Sequence, residues 1–319
     1  MSTIASYYKV DKEKFRRCYK RETSNFDTWE QKEHAEDYLI YPENISPRLA
    51  IDEISLSKGE LYTFVTSKQH KGNKKKLVAI INGTEAKTIT EVLKKIEEQK
   101  RNIVTEVSLD MARNMGLAVR DSFPNTALVI DRFHVVKLVM EAMQHIRVKY
   151  RWEAIDHENE QIKQAKQKGE KYTPDLLENG DTLKELLARS RHLLYKTPKD
   201  RTIKQNQRAE LLFKKYPVID QAYKLCMEFR AIYENTNRMI AKDKLIQWMK
   251  KVKQTTMEEF NTVMNSINYH MENILNYFNH KSTNAHAESF NAKVKLFRAN
   301  LRGVTKNDFF LFRLEKIFS

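Results

Sequence analysis

Three β-rich runs in quick succession, LAIDEISL (49–56), ELYTFVTS (60–67) and KKLVAIING (75–83), constrain the fold of this chain most. Branched and aromatic side chains fill them, and polar turn segments, Ser57-Lys58-Gly59 and KQHKGNK, separate them, so they read as an antiparallel meander. A helical pattern follows: Ile89, Val92, Leu93 and Ile96 share one face of ITEVLKKIEEQK, with Thr88 or Thr90 placed to cap it. The apolar run NIVTEVSLD, a second helix over ARNMGLAVRDSF, the break at Pro124-Asn125 and a last run, ALVID, complete the order βββαβαβ. Crossovers of this kind return right-handed and leave the last strands parallel to a neighbour.

This is the strand and helix order of a ribonuclease H-like α/β fold. Beyond it the texture changes. Long charged helical patterns such as VVKLVMEAMQHIRVKYRWEAI and DTLKELLARSRHLLYK run to about Asn279, and the loop KQAKQKGEKYTPDLLENGD lies between two of them. The expected organisation is an N-terminal helical segment (1–48) ending at Pro42 and Pro47, the first part of the catalytic core (49–134), an all-α insertion (135–280) and the C-terminal core helices (281–319).

Charge narrows the partners. The 57 Lys and Arg against 42 Asp and Glu give a formal net charge of +15, which favours a polyanion, nucleic acid first. The two cysteines, Cys18 and Cys226, are far apart and form neither a disulfide framework nor a CxxC-based module, so no structural zinc is expected and a reducing cytosol is. No apolar run reaches the roughly 18 residues of a membrane span and the first residues lack a signal-peptide core, so a cytoplasmic, nucleoid-associated protein with no membrane partner is expected.

Against that background three acids stand out: Asp52 inside an apolar strand, Asp110 at the end of another, and Glu288 in STNAHAESFN. A carboxylate at a buried strand end is costly without a cation or donor nearby. In the expected topology Asp52 and Asp110 lie on neighbouring strands, at the sheet end where open α/β folds gather their active groups. On the late helix, Asn284, Glu288, Asn291 and Lys295 form a polar stripe opposite Phe290, Val294, Phe297 and Leu301. Burying the phenylalanine face turns Glu288 toward the cleft. Three such carboxylates repel unless hard cations sit between them, which points to two Mg2+ or Mn2+ ions held by Asp52, Asp110 and Glu288 and to phosphodiester chemistry. Asp131, one strand farther out, and His134 after it are expected to support the metal site or handle DNA.

Seven Lys and Arg follow Glu288 between Ser289 and Ser319, against two acids. Of these, Lys293, Lys295, Arg298 and Arg302 are candidate DNA contacts. In the insertion, Arg147, Lys149 and Arg151 with Trp152 could hold backbone and stack a base, a core role for Trp152 being the plainer reading.

The blocks AIDEISLSKGELYTFVT, SLDMARNMGLAVRDSFPNTALVIDRFHVVKL and STNAHAESFNAKVKLFRANLRGVTKNDFFLFRL together resemble bacterial insertion-sequence transposases of the DDE type, in the ISL-three group. The resemblance runs from about residue 45 to the end. It implies that Asp52, Asp110 and Glu288 are the catalytic triad, that Asp131 and His134 match a C/DxxH signature thought to assist with the flanking strand, and that water cuts the element end to free a 3′ hydroxyl which attacks target DNA. It also implies double-stranded DNA and a DNA-bound homo-oligomer as partners. Longer members carry an N-terminal zinc-binding segment and helix-turn-helix, for which the residues before Asp52 have no counterpart. A separately encoded recognition protein is therefore expected, or residues 1–48 are a remnant. Two rival readings are a ribonuclease H-like nuclease that never joins strands and a repurposed relative that only binds DNA.

Overall fold

The computed structural model describes residues 2–56, 60–69, 76–235, 237–281, 285–301 and 307–319. The chain divides into two compact units, Met1–Asp131 with Ser282–Ser319, and Arg132–Lys281.

The first unit is built on a six-stranded mixed sheet of order β1-β4-β3-β2-β5-β6. Its strands are β1 (Tyr38–Ile40), β2 (Arg48–Ser55), β3 (Leu61–Ser67), β4 (Leu77–Asn82), β5 (Glu106–Leu109) and β6 (Ala127–Ile130). The three β-rich runs form the antiparallel meander β2-β3-β4, with Asp52 opposite Phe64. Parallel pairing then joins β2 to β5 and β5 to β6, through crossovers that carry the helices Ala86–Leu93 and Arg113–Ser122.

Strand alternation sorts the two faces. Leu49 and Ile51 of β2, with Val107, Leu109 and Leu128, pack under the crossover helices through Ile89, Val92, Met115 and Val119. Ile54, Tyr62 and Phe64 point to the other face, where the helices Ala285–Asn300 and Asn307–Phe318 supply Phe290, Val294, Phe310 and Leu314. The predicted apolar stripe is thus the packed one: Phe290 and Val294 are buried, and Phe297 and Leu301 lie half-buried against the same core.

Two local expectations change. The stretch 1–48 is not wholly helical, because Tyr38–Ile40 pairs antiparallel with β4 as an edge strand. Three residues are too few to display alternation, and the open edge of β4 recruits them. The helix after β4 starts earlier than Thr88, with Glu85 at its N-cap, and stops at Leu93. A turn then carries Ile96 into the core before a short helix at Glu98–Asn102. The turns 57–59 and 70–74, Asn284 at the start of the polar stripe, Arg302 and the break at Gly303 lie outside the described residues.

Residues 1–48 are tied to the C-terminal helix by one carboxylate. Trp29 Nε1 and Tyr41 OH both donate to Glu315 Oε2, at 2.7 and 2.9 Å, and both rings are buried. Burial, and then the Glu315 charge, push the Tyr41 hydroxyl far above its ordinary range, so it stays a donor. Glu315→Leu leaves two buried donors without an acceptor and is expected to cost about 3 kcal/mol, whereas Glu315→Gln keeps an acceptor oxygen and costs less. Urea unfolding midpoints of the two variants check this.

The described part of the second unit is helical, opening with the 36-residue helix Arg132–Gln167. Val139, Met143 and Ile146 of that helix are buried, as are Phe229 and Trp248 of the helices Pro217–Ile232 and Arg238–Lys253, and Trp248 Nε1 donates to the Leu225 carbonyl at 2.9 Å. The loop expected after the long helix spans 168–182, and its Asp181 anchors Arg189 and, at 3.1 Å, Arg208. Burial alone would raise the Asp181 carboxyl, but the hydrogen bonds from those two arginines outweigh it and hold it below the usual range.

Candidate active site

Sheet register sets the site. β2 and β5 pair Arg48 with Glu106 and Ala50 with Ser108, so two residues on, Asp52 is level with Asp110. β5 and β6 pair Leu109 with Ile130, so one residue on, Asp110 is level with Asp131. The Asp131 N–H donates to the Leu109 carbonyl at 3.0 Å and carries the ladder to that level. Three aspartates on three adjacent strands thereby form one row. Alternation puts Asp52 on the same face as Ile54, the face that the helix Ala285–Asn300 covers.

That helix delivers two polar side chains to the row. Asn291, only 9% exposed, donates through Nδ2 to Asp52 Oδ2 at 2.5 Å, and the other oxygen of Asp52 accepts from the Glu53 N–H at 2.8 Å. Glu288, one turn earlier and exposed, offers a carboxylate oxygen within 4.8 Å of one from Asp131. Asp131 itself is 2% exposed. Asp110 is half-buried, and its Oδ1 accepts from the Ala112 N–H at 2.8 Å, which steers the carboxylate where the chain turns into the next helix.

The electrostatics match a crowded acidic pocket. Burial first, and then the charges of Asp110 and Asp52, raise the Glu53 carboxyl above its usual range. A buried cation lies on the same side of the sheet's charge balance: Lys68, 3.6 Å from Glu106, is lowered by desolvation, while Glu106 and then Asp131 pull it back up. The donors gathered here are oxygens, the set that Mg2+ and Mn2+ prefer, and the buried Asn291 Oδ1 accepts no hydrogen bond among the described residues. The residues fit a hard divalent ion.

A family model of transposases, the ISL-three DDE group, matches residues 49–314, from the start of β2 into the last helix. The chain belongs to that transposase family. No curated protein matches it.

Within this transposase the expected site residues are unevenly assembled. Asp131 and Glu288 meet, whereas Asp52 and Asp110 join no set of three metal-ligand side chains within that 4.8 Å limit among the described residues. His134 stands half-buried in the first turn of the long helix, its ring edge-on to Phe133 at 5.7 Å. Lys293 and Lys295 are exposed, but Arg298 is half-buried, stacked over Phe310 at 4.8 Å and bonded to Asn307 Oδ1 at 3.2 Å.

In the second unit Lys149, Arg151 and Trp152 are exposed, Trp152 by 60%, so the indole is not core. Arg147 is the correction: it is buried, and its guanidinium donates to Gln144 Oε1 and the Leu187 carbonyl at 2.7 and 2.9 Å, leaving it no surface to grip DNA. Arg147 and Arg151 lie four residues apart on one helix face, and sequence alone does not show which turn of that face a neighbour covers. Asn291 and Glu53 are site residues to which the sequence alone assigns no role. The signal for Asn291 was its place one turn after Glu288 on the polar stripe.

Proposed function

We propose that this transposase cuts DNA at the ends of an insertion sequence and joins the freed 3′ end to target DNA, using Mg2+ or Mn2+ held by Asp52, Asp110 and Glu288. The row of three aspartates under a helix that carries Glu288 is the observation that supports this most. The sheet order, with edge strand β1 set aside, supports a ribonuclease H-like core. Asp131 is a fourth carboxylate at the same site, and His134, three residues on, handles the DNA strand beside it.

When bound, divalent ions neutralise the phosphoryl oxygens and activate the attacking oxygen, first of water and then of the 3′ hydroxyl. The protein's own part is orientation. Asn291 fixes one Asp52 oxygen and the Glu53 N–H the other, while the Ala112 N–H turns the Asp110 carboxylate. Rigid placement of this kind keeps the reacting groups in line for both steps.

Binding of double-stranded DNA draws on the basic surface. Besides Lys293, Lys295, Lys149, Arg151 and Trp152, a groove between residues 13–32 and the start of the last helix is lined by Arg16, Arg17, Lys20, Arg21 and Lys32 against the acids Glu13, Asp27 and Asp308, with Lys32 paired to Asp27 at 2.8 Å. Lys20 lies 4.4 Å over Phe26 there. Replacing Arg16, Arg17 and Arg21 together with alanine is expected to weaken binding of any duplex alike and to flatten the log K against log salt slope by about 3, near one per phosphate contact. A salt titration by fluorescence anisotropy checks it. The active form is a homo-oligomer on DNA.

The test of the function is strand transfer. Purified protein, a pre-cut element end and a target plasmid are incubated with Mg2+ or Mn2+, and joined product is expected. Cleavage without joining would identify a nuclease instead, and binding without either would identify a repurposed relative.

A further inference from the structure

Asn291 brings a neutral amide to the row of acids. It is buried, it sits one helical turn after Glu288, and its Nδ2 is fixed on Asp52 Oδ2 at 2.5 Å. A carboxylate oxygen can only accept, so the atom on Asp52 must be the amide nitrogen, and the amide oxygen is the second, free arm of the same planar group. That oxygen, Oδ1, is buried with no hydrogen-bond partner among the described residues. Leaving such an acceptor unsatisfied costs roughly 1 to 3 kcal/mol, so a protein seldom keeps one without use.

We propose that Asn291 Oδ1 is a direct oxygen donor to the divalent ion that Asp52 holds, with Nδ2 locking the Asp52 carboxylate so that both residues present oxygens to one ion. The chemistry favours an amide at this place. A further carboxylate beside Asp52, Glu53 and Asp110 would add like-charge repulsion. A neutral amide supplies an oxygen of the same hardness and a donor for the neighbouring carboxylate at once. Side-chain amide oxygens are ordinary ligands of hard cations. The polar stripe of the helix then divides by depth: exposed Glu288 reaches toward Asp131, and buried Asn291 reaches Asp52.

The inference rests on the metal-dependent reading above, and its test separates the two. Mn2+ binding to the full chain is measured by calorimetry and by electron paramagnetic resonance, without DNA and without any activity readout, for the wild type, Asp52→Ala, Asn291→Leu and Asn291→Asp. Asn291→Leu is expected to weaken Mn2+ binding by more than about 100-fold, beyond the 10- to 100-fold that loss of an outer-shell partner alone costs. Asn291→Asp keeps the oxygen and the size, and is expected to retain binding within about tenfold while lowering the metal-free melting temperature, since it sets two carboxylates together. Mn2+ affinity unchanged in Asn291→Leu, with Asp52→Ala binding none, would overturn the donor role and leave the metal reading standing. A wild type that binds no Mn2+ would overturn both. If Asn291→Leu does not fold, loss of Mn2+ binding in folded Asn291→Asp overturns the donor role by itself.

Discussion

Alanine at Asp52 or at Glu288 is expected to reduce DNA cleavage by about 10³-fold or more while duplex affinity stays within a few-fold of wild type. The magnitude follows from what a divalent ion supplies, several kcal/mol of charge stabilisation at roughly 1.4 kcal/mol per decade. The selectivity follows from where binding energy comes from. Duplex affinity is dominated by cations on phosphates, and the cations named above lie on other elements or farther along the helix than Glu288. The two variants differ in a second respect. Asp52 accepts from Asn291 and from the Glu53 backbone inside the half-buried pocket, so Asp52→Ala strands the Asn291 amide and lowers stability by about 1 to 2 kcal/mol. Glu288 is exposed, and Glu288→Ala should unfold like wild type. Gel-resolved cleavage of a labelled element end with Mg2+, beside urea melts, measures both. Retained cleavage in Glu288→Ala would remove it from the site.

What the sequence disclosed and what it withheld divide along physical lines. The meander, the two crossover strands and the buried face of the last long helix were legible from composition and spacing: branched and aromatic residues fill LAIDEISL and ELYTFVTS between polar turns, and Phe290, Val294, Phe297 and Leu301 fall at helical spacing. Strand β1 was not, since Tyr-Leu-Ile is helix-compatible until the open edge of β4 is present to pair with it. Among the acids, sequence order correctly set Asp131 one strand beyond Asp110. It could not tell how far the helix bearing Glu288 leans across the row, which depends on packing of Phe290 against Phe64 and Phe318, at 5.9 and 4.9 Å. Equally, the polar stripe weighed Glu288, Asn291 and Lys295 alike. Burial separates them, and burial is a property of the neighbours.

That lean decides the second large effect. Asp110→Ala is expected to abolish cleavage as completely as Asp52→Ala, because Asp110 stands between Asp52 and Asp131 in the row and on the strand that pairs with β2. Asp131→Ala is expected to cost less in rate, about 10²-fold, and to weaken Mn2+ binding 10- to 100-fold, as removal of a supporting carboxylate does. Its carboxylate lies within 4.8 Å of that of the exposed Glu288, so a divalent ion bound by Glu288 would also draw on the Asp131 charge. Asp131 is also buried near Lys68, and deleting it leaves that cation with less compensation. Asp131→Asn keeps the volume and isolates the charge, so agreement between the alanine and asparagine variants assigns the loss to the carboxylate rather than to packing. The ranking is what matters. Cleavage surviving in Asp110→Ala and vanishing in Asp131→Asn would make Asp131 the second acid of the triad, with β6 rather than β5 carrying it.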